Sequence, residues 1–184
     1  MNKSYAAWAA RWRVPLGFAL AAGFLVWSRP RAWLLVAGGL VALAGLLVRG
    51  AAAGYLEKNR ELATAGPYRY TRNPLYLGSF VMGAGLAVAG GSWPLAAAFL
   101  VLYALVYGPV IRREEEMLRS QFAQTFERYA ASVPLFFPTS LGRWEGPAAG
   151  DGFRWERYRK NREYEAALGY ALVMLFLSVK MRLG

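Results

Sequence analysis

The chain has 184 residues, of which 57% are apolar, and a net charge of +11 from 22 Lys and Arg against 11 Asp and Glu. It contains no His and no Cys, which excludes disulfides, thiol nucleophiles, His-based triads and nearly all zinc, haem and iron–sulfur chemistry. Any reaction must run on Glu, Asp, Arg, Lys, Tyr or Asn, or on a cofactor, and no metal is expected.

The apolar residues fall in five charge-free blocks, at 14–28, 32–48, 75–90, 94–111 and 166–179. Each is a little short of the ~20 residues that span a bilayer, so flanking Arg and Lys must snorkel to the interface. This predicts an all-α integral membrane helical bundle of about five transmembrane helices, the last block being either a span or a tilted, interfacial helix. Arg29-Pro30-Arg31 stands where a signal peptide would need small residues, so the first block reads as a retained helix.

The six segments outside the blocks hold three, two, five, none, ten and two Lys and Arg. With the N-terminus inside, 18 of the 22 lie on the cytoplasmic side, as the positive-inside rule requires. Trp27, Trp33 and Trp93 then fall at the outer boundary and Trp12 at the inner one. The expectation is a protein of a bacterial-type inner membrane with a cytoplasmic N-terminus and site. The topology accounts for the charge, so no nucleic acid is expected as a partner.

Between the second and third blocks runs GPYRYTRNPLYLGS, residues 66–79, dense in polar and aromatic groups. Gly66-Pro67 marks a turn. Asn73-Pro74 is a helix start, Asn as a favoured N-cap and Pro tolerated in the first turn because it lacks an N–H. The N–H groups of Leu75, Tyr76 and Leu77 are then expected to face a ligand and, with Arg69 and Arg72, to form an anion site. The bland alternative is that the arginines obey the positive-inside rule while the tyrosines sit among headgroups. Gly83-Ala84-Gly85 lies in mid-helix, where small residues permit close helix packing.

Residues 112–138 form a second cluster. Met117, Leu118, Phe122, Phe126 and Tyr129 recur at helical spacing, predicting an amphipathic helix that continues or follows the fourth span. One turn back along the same stripe lies Glu114. Glu114 should face the packed side, Glu115 its border near Arg119, and Glu116 water. A carboxylate on a buried stripe is costly without a partner or ligand. Residues 151–165 mix basic and aromatic side chains, which suits a segment lying on anionic lipid and covering the site from the cytoplasm.

The two clusters, in this order and flanking a helical hairpin, resemble the isoprenylcysteine carboxyl methyltransferase and phospholipid methyltransferase superfamily. The resemblance is carried by Gly66, Pro67, Tyr68, Tyr70, Arg72, Asn73, Pro74, Tyr76 and Gly78, then by Glu114, Glu115, Leu118, Phe122, Phe126, Tyr129, Val133 and Pro134. It covers residues 49–138 and reaches the remainder only as hydrophobic helices. It implies a single membrane-embedded methyltransferase domain over 1–184, with a catalytic core at 49–138, a cytoplasmic and interfacial segment at 139–165 and a last helix at 166–180.

The implied cofactor is S-adenosylmethionine, and the implied substrate is a lipid or lipid-linked small molecule entering from the bilayer. Carried over by residue, Arg72, Glu114 and Tyr76 are expected to be catalytic. Tyr68, Tyr70, Asn73, Pro74, Leu75, Leu77, Gly78 and Glu115 are expected to bind the cofactor. Glu114, or else Glu115, would accept hydrogen bonds from ribose hydroxyls or the amino group. Arg72 and the helix start would hold an anion, and the tyrosines would wall the adenine or sulfonium.

Three positions depart from the family pattern: Asn73 stands for a common His, Ala123 for Gly, and Leu135 for an Arg after Val-Pro. The acceptor can be a carboxylate, which needs no base, or an amine, which does. Two other readings differ in class: an NADPH-dependent reductase of the sterol-reductase type, whose C-terminal motif is related, and a non-catalytic lipid-binding membrane protein.

Overall fold

The computed structural model describes residues 3–57, 61–139, 143–148 and 152–183, except for the side chains of residues 3–10, 13 and 14. Its helices are α1 (Lys3–Trp27), α2 (Ala32–Tyr55), α3 (Pro74–Ala89), α4 (Trp93–Ser132), α5 (Trp155–Lys160) and α6 (Tyr164–Leu183), with a 3-10 turn at Gly66–Arg69. No strand occurs among the described residues. α2, α4 and α6 are long and apolar enough to cross a membrane, and Pro15–Trp27 and Pro74–Ala89 are shorter apolar helices. The fold is the expected all-helical membrane bundle. Its last helix is 20 residues long, outrunning the apolar block 166–179 at both ends.

The hairpin of α2 and α3 is the tightest contact. A Cβ added to Gly45 would stand 2.3 Å from the Met82 nitrogen and 2.7 Å from the Gly78 carbonyl oxygen; one on Gly85 would stand 2.3 Å from the Ala42 nitrogen. Gly38, Gly45, Gly78 and Gly85 therefore let two backbones touch, which is how helices associate where lipid removes the usual hydrophobic drive. The small-residue reading of Gly83-Ala84-Gly85 holds: Gly85 faces α2, and Gly83 leaves room for the Phe99 ring of α4.

The two ends of the bundle are tied differently. At one, Lys180 near the end of α6 donates to the carbonyls of Leu25 and Val26 and to Ser28 Oγ, a cation meeting the last carbonyls of α1. The Arg29 N–H also donates to the Gly90 carbonyl there. At the other end, Arg49 of α2 makes a two-pronged ion pair with Glu163, Nε to Oε2 at 2.9 Å and Nη2 to Oε1 at 2.8 Å, and donates from Nη1 to Ser79 of α3. Asn161 donates to the Ala53 and Leu56 carbonyls, closing the C-terminus of α2.

α4 runs 40 residues with a break at Ala123, and its uninterrupted part, residues 93–122, rises about 45 Å at 1.5 Å per residue, half as long again as a bilayer core. Its part beyond residue 111 therefore leaves the membrane, so the amphipathic helix continues the fourth span. The continuity is interrupted at Ala123, where φ is 38° and ψ is −116°. A left-handed φ suits glycine, and Ala123 is the position where the family pattern has one. The break turns Phe126 and Tyr129 back onto Leu62 and Val133 in a small buried core.

Candidate functional site

Where α3 begins and α4 leaves the apolar region, a cavity of about 430 Å³ opens, within the ~300–1,000 Å³ range of small-molecule sites. Its wall is assembled from four stretches of chain. One is Leu56 with Glu61, Leu62 and Ala63 after α2, the second is the 3-10 turn and the first turn of α3, the third is α4 from Val110 to Leu118, and the fourth is Phe126 with Tyr129 beyond the break.

Two polar pairs cross this cavity. The Tyr76 hydroxyl donates to Glu114 Oε2 at 2.8 Å. Arg72 Nη1 stands 2.7 Å from Glu115 Oε1, an ion pair lying off the line of a hydrogen bond. Arg72 Nε and Glu115 Oε1 are both buried with no hydrogen-bond partner among the described residues. Burial pushes the Glu115 carboxyl above its ordinary range, against the downward pull of Arg72 and Arg119. Glu115 thus looks across to Arg72 of the other motif; Arg119, its expected neighbour, pairs instead with exposed Glu127 at 2.9 Å. Glu116 faces water as expected.

Tyr68 is buried, and the Tyr129 hydroxyl donates to its carbonyl at 2.6 Å, fastening the 3-10 turn to α4. Burial raises the phenols of both Tyr68 and Tyr129, with Glu114 raising Tyr68 further. Both remain neutral, as hydrogen-bonding groups and not phenolate bases.

The helix start departs from expectation in its details. Asn73 occupies the N-cap position of α3 but its side chain makes no capping bond. Nδ2 donates to the Leu135 carbonyl at 3.0 Å instead. With the Arg72 N–H on the Pro134 carbonyl and Thr71 Oγ1 on the Phe136 carbonyl, this stitches residues 134–136 to the entry of α3. The Leu77 N–H is spent within the helix, on the Asn73 carbonyl at 2.9 Å, and so does not face a ligand.

Of the residues expected at the site, Arg72, Glu114, Tyr76, Tyr68, Asn73, Pro74, Leu75 and Glu115 line the cavity. Three do not. Tyr70 is 46% exposed and lies under the Arg143 guanidinium at 5.9 Å. Leu77 is buried on the packed side of α3, and Gly78 is spent on the α2 contact. Sequence reasoning missed Glu61 and Arg113 in the cavity wall. It also missed Arg157 of α5, which is 8% exposed and reaches Glu57 at 2.8 Å and cavity-lining Glu61 at 3.1 Å. The available signal was that the loop after α2 holds two carboxylates among basic residues. The segment 151–165 does meet the cavity wall, through this arginine.

A helical membrane bundle that brings carboxylates, arginines and tyrosines of two motifs to one cavity at the end of its central hairpin defines a class: helical membrane proteins with a polar-lined cavity beside their apolar spans. The comparison with known families makes this specific. The chain belongs to the phospholipid methyltransferase family, whose model matches residues 32–125.

The chain is 37% identical over 142 residues to the cobalt-zinc-cadmium resistance protein CzcN of Cupriavidus metallidurans, covering 73% of this chain and 65% of that one. It is 43% identical over 82 residues to the nickel-cobalt-cadmium resistance protein NccN of Alcaligenes xylosoxydans xylosoxydans, covering 45% and 38%. It is 30% identical over 82 residues to the protein-S-isoprenylcysteine O-methyltransferase of Schizosaccharomyces pombe, covering 45% and 35%. The chain spans less than two thirds of the length of each. No solved structure matches it.

Proposed function

We propose that the chain transfers a methyl group from S-adenosylmethionine to a membrane-embedded lipid or lipid-linked acceptor, a carboxylate or an amine, at the cytoplasmic membrane face. The observation that carries this reading is the meeting of Tyr76–Glu114 and Arg72–Glu115 in one cavity of a phospholipid methyltransferase family member. The residues suit the cofactor. Three carboxylates (Glu61, Glu114, Glu115) offer acceptors for an amino group and ribose hydroxyls, Arg72 and Arg113 offer charge to a carboxylate, and Tyr68, Tyr76 and Phe126 offer ring faces to a sulfonium. The buried Arg72 Nε is an unspent donor on that surface.

When bound, the cofactor supplies an electrophilic methyl on sulfur, and in-line displacement needs neither metal nor covalent enzyme intermediate. The chain's part is orientation, which alone can contribute ~7–11 kcal/mol. Tyr76 holds Glu114 toward the cavity. Neutral Tyr68 donates or accepts a hydrogen bond there. Glu115, raised by burial, is suited to take a proton from an amine acceptor, so the absence of His does not bar N-methylation.

On this reading residues 1–184 act as one unit around the core at 49–138, and the lopsided distribution of Lys and Arg supports a cytoplasmic position for the cavity. Two relatives are named for metal resistance.

The test is incubation of the purified full chain with methyl-labelled S-adenosylmethionine and a total lipid extract, with identification of the labelled species. Label in a lipid is expected. Binding of NADPH without binding of S-adenosylhomocysteine would end this reading in favour of a reductase.

A further inference from the structure

Arg72 is a shared wall. On its other side lies a second, more open cavity of about 970 Å³, into which Arg128 and Arg143 also face, together with Glu145, Trp144 and Pro134. Its floor is built. The Arg72 N–H donates to the Pro134 carbonyl at 3.0 Å and the Trp144 N–H to the Arg69 carbonyl at 2.9 Å. The Trp144 ring meets Tyr129 edge to face at 5.6 Å.

The charges favour an anion. Arg128 and Arg143 carry two positive charges against one on Glu145, and the charge of Arg72 is met by Glu115. The last carbonyls of α4 add roughly half a negative charge, partly spent on the Val133 N–H and Ser132 Oγ. The balance stays positive. The setting is interfacial: the neighbouring Phe137 is 61% exposed and packs against Phe80 of α3.

We propose that this second cavity binds an oxyanion, a phosphate or carboxylate, held by the guanidinium groups of Arg128 and Arg143 with Arg72 at its back. Guanidinium groups match such oxygens in paired, charge-assisted hydrogen bonds. Exposed aromatic side chains beside them suit an amphiphile whose anionic head enters while its chains stay in the bilayer. The site stands independently of the methyl-transfer reading.

The experiment uses the full chain in maltoside micelles, which carry no phosphate. Tryptophan fluorescence is followed during titration with inorganic phosphate, with dihexanoyl phosphatidic acid and with dihexanoyl phosphatidylcholine as the zwitterionic control. Saturable change is expected with phosphatidic acid, lost in Trp144→Phe and shifted at least tenfold to weaker binding in the double variant Arg128→Gln/Arg143→Gln. An equal response to inorganic phosphate assigns the site to free oxyanions, and a response to the lipid alone assigns it to headgroups. No saturable response to either anion, or an unchanged response in the double variant, overturns the proposal.

Unfolding temperature and S-adenosylhomocysteine affinity of the double variant report its fold and its first cavity. Both are expected to match the unsubstituted chain. Failure of the unsubstituted chain to bind S-adenosylhomocysteine would strike the methyl-transfer reading and leave the oxyanion result standing.

Discussion

The Tyr76 hydroxyl donates to the Glu114 carboxylate at 2.8 Å, joining the first turn of α3 to α4 across 38 positions of sequence. A hydrogen bond to a charged group is worth ~1.5–3 kcal/mol. Glu114→Gln is expected to weaken S-adenosylhomocysteine binding about tenfold or more, measured by calorimetry in detergent. Tyr76→Phe should weaken it less, and the double variant should show the two effects to be coupled. Unchanged affinity in Glu114→Gln would remove Glu114 from the site.

Glu115 gives a pH dependence whose sign can be worked out. Its folded carboxyl titrates above the ordinary value of 4.5 because burial opposes ionisation. The fold therefore holds this proton more tightly than the unfolded chain does. The resulting stability is fully present below the ordinary value and is lost as pH rises through the raised one. The unfolding temperature of the wild type minus that of Glu115→Gln should fall from mildly acidic to neutral pH. A rise over the same range would contradict the burial argument.

Ala123 sits at φ 38°, a conformation that costs a side-chain-bearing residue about 1–3 kcal/mol. Ala123→Gly should therefore raise the unfolding temperature, by about 2–4 °C for each 1 kcal/mol regained in a chain of this size. A lower unfolding temperature in Ala123→Gly would show that the break is not strained.

Gly45 and Gly169 offer a contrast. The Cβ of Gly45→Ala would stand 2.3 Å from the Met82 nitrogen, whereas that of Gly169→Ala in α6 meets nothing within 4 Å. The first should lose about 1–3 kcal/mol through overpacking of α2 against α3. The second should be neutral or slightly stabilising through helix propensity. Thermal unfolding of the two variants checks both, and equal effects would mean the hairpin is not tightly packed.

Arg49 and Glu163 form the clasp that holds the entry of α6 against α2. Glu163→Gln removes the countercharge of a half-buried guanidinium and should cost about 3 kcal/mol or more. Arg49→Met/Glu163→Leu should cost less than the two single changes added together, because neither charge is then stranded. Additive losses in this pair would show that no coupling exists.

Much of this molecule was legible before any coordinates. The charge-free blocks announced the membrane helices, and Asn73-Pro74 marked the start of α3 at the correct residue. The apolar stripe from Met117 to Tyr129 turned Glu114 inward. These signals are local, arising from a periodicity of 3.6 residues and from the geometry of Pro and Gly, so they survive without tertiary information. Other details resisted for the same reason. Nothing within one turn of Glu115 says that it pairs with Arg72 and leaves Arg119 to Glu127, and nothing near Asn73 says that its amide reaches Leu135.

The sequence by itself determined an all-helical membrane chain, the family to which it belongs and the two motifs that line most of its first cavity. Tertiary structure decided the partners. It placed Gly78 on the α2 contact, left Tyr70 outside the cavity, brought Glu61 and Arg113 into the wall, and closed the bundle through Arg49 with Glu163 and Arg157 with Glu61. The physical reason is that helix formation and membrane insertion are set by neighbours along the chain. Which charge meets which across roughly 100 residues is set by how the helices pack.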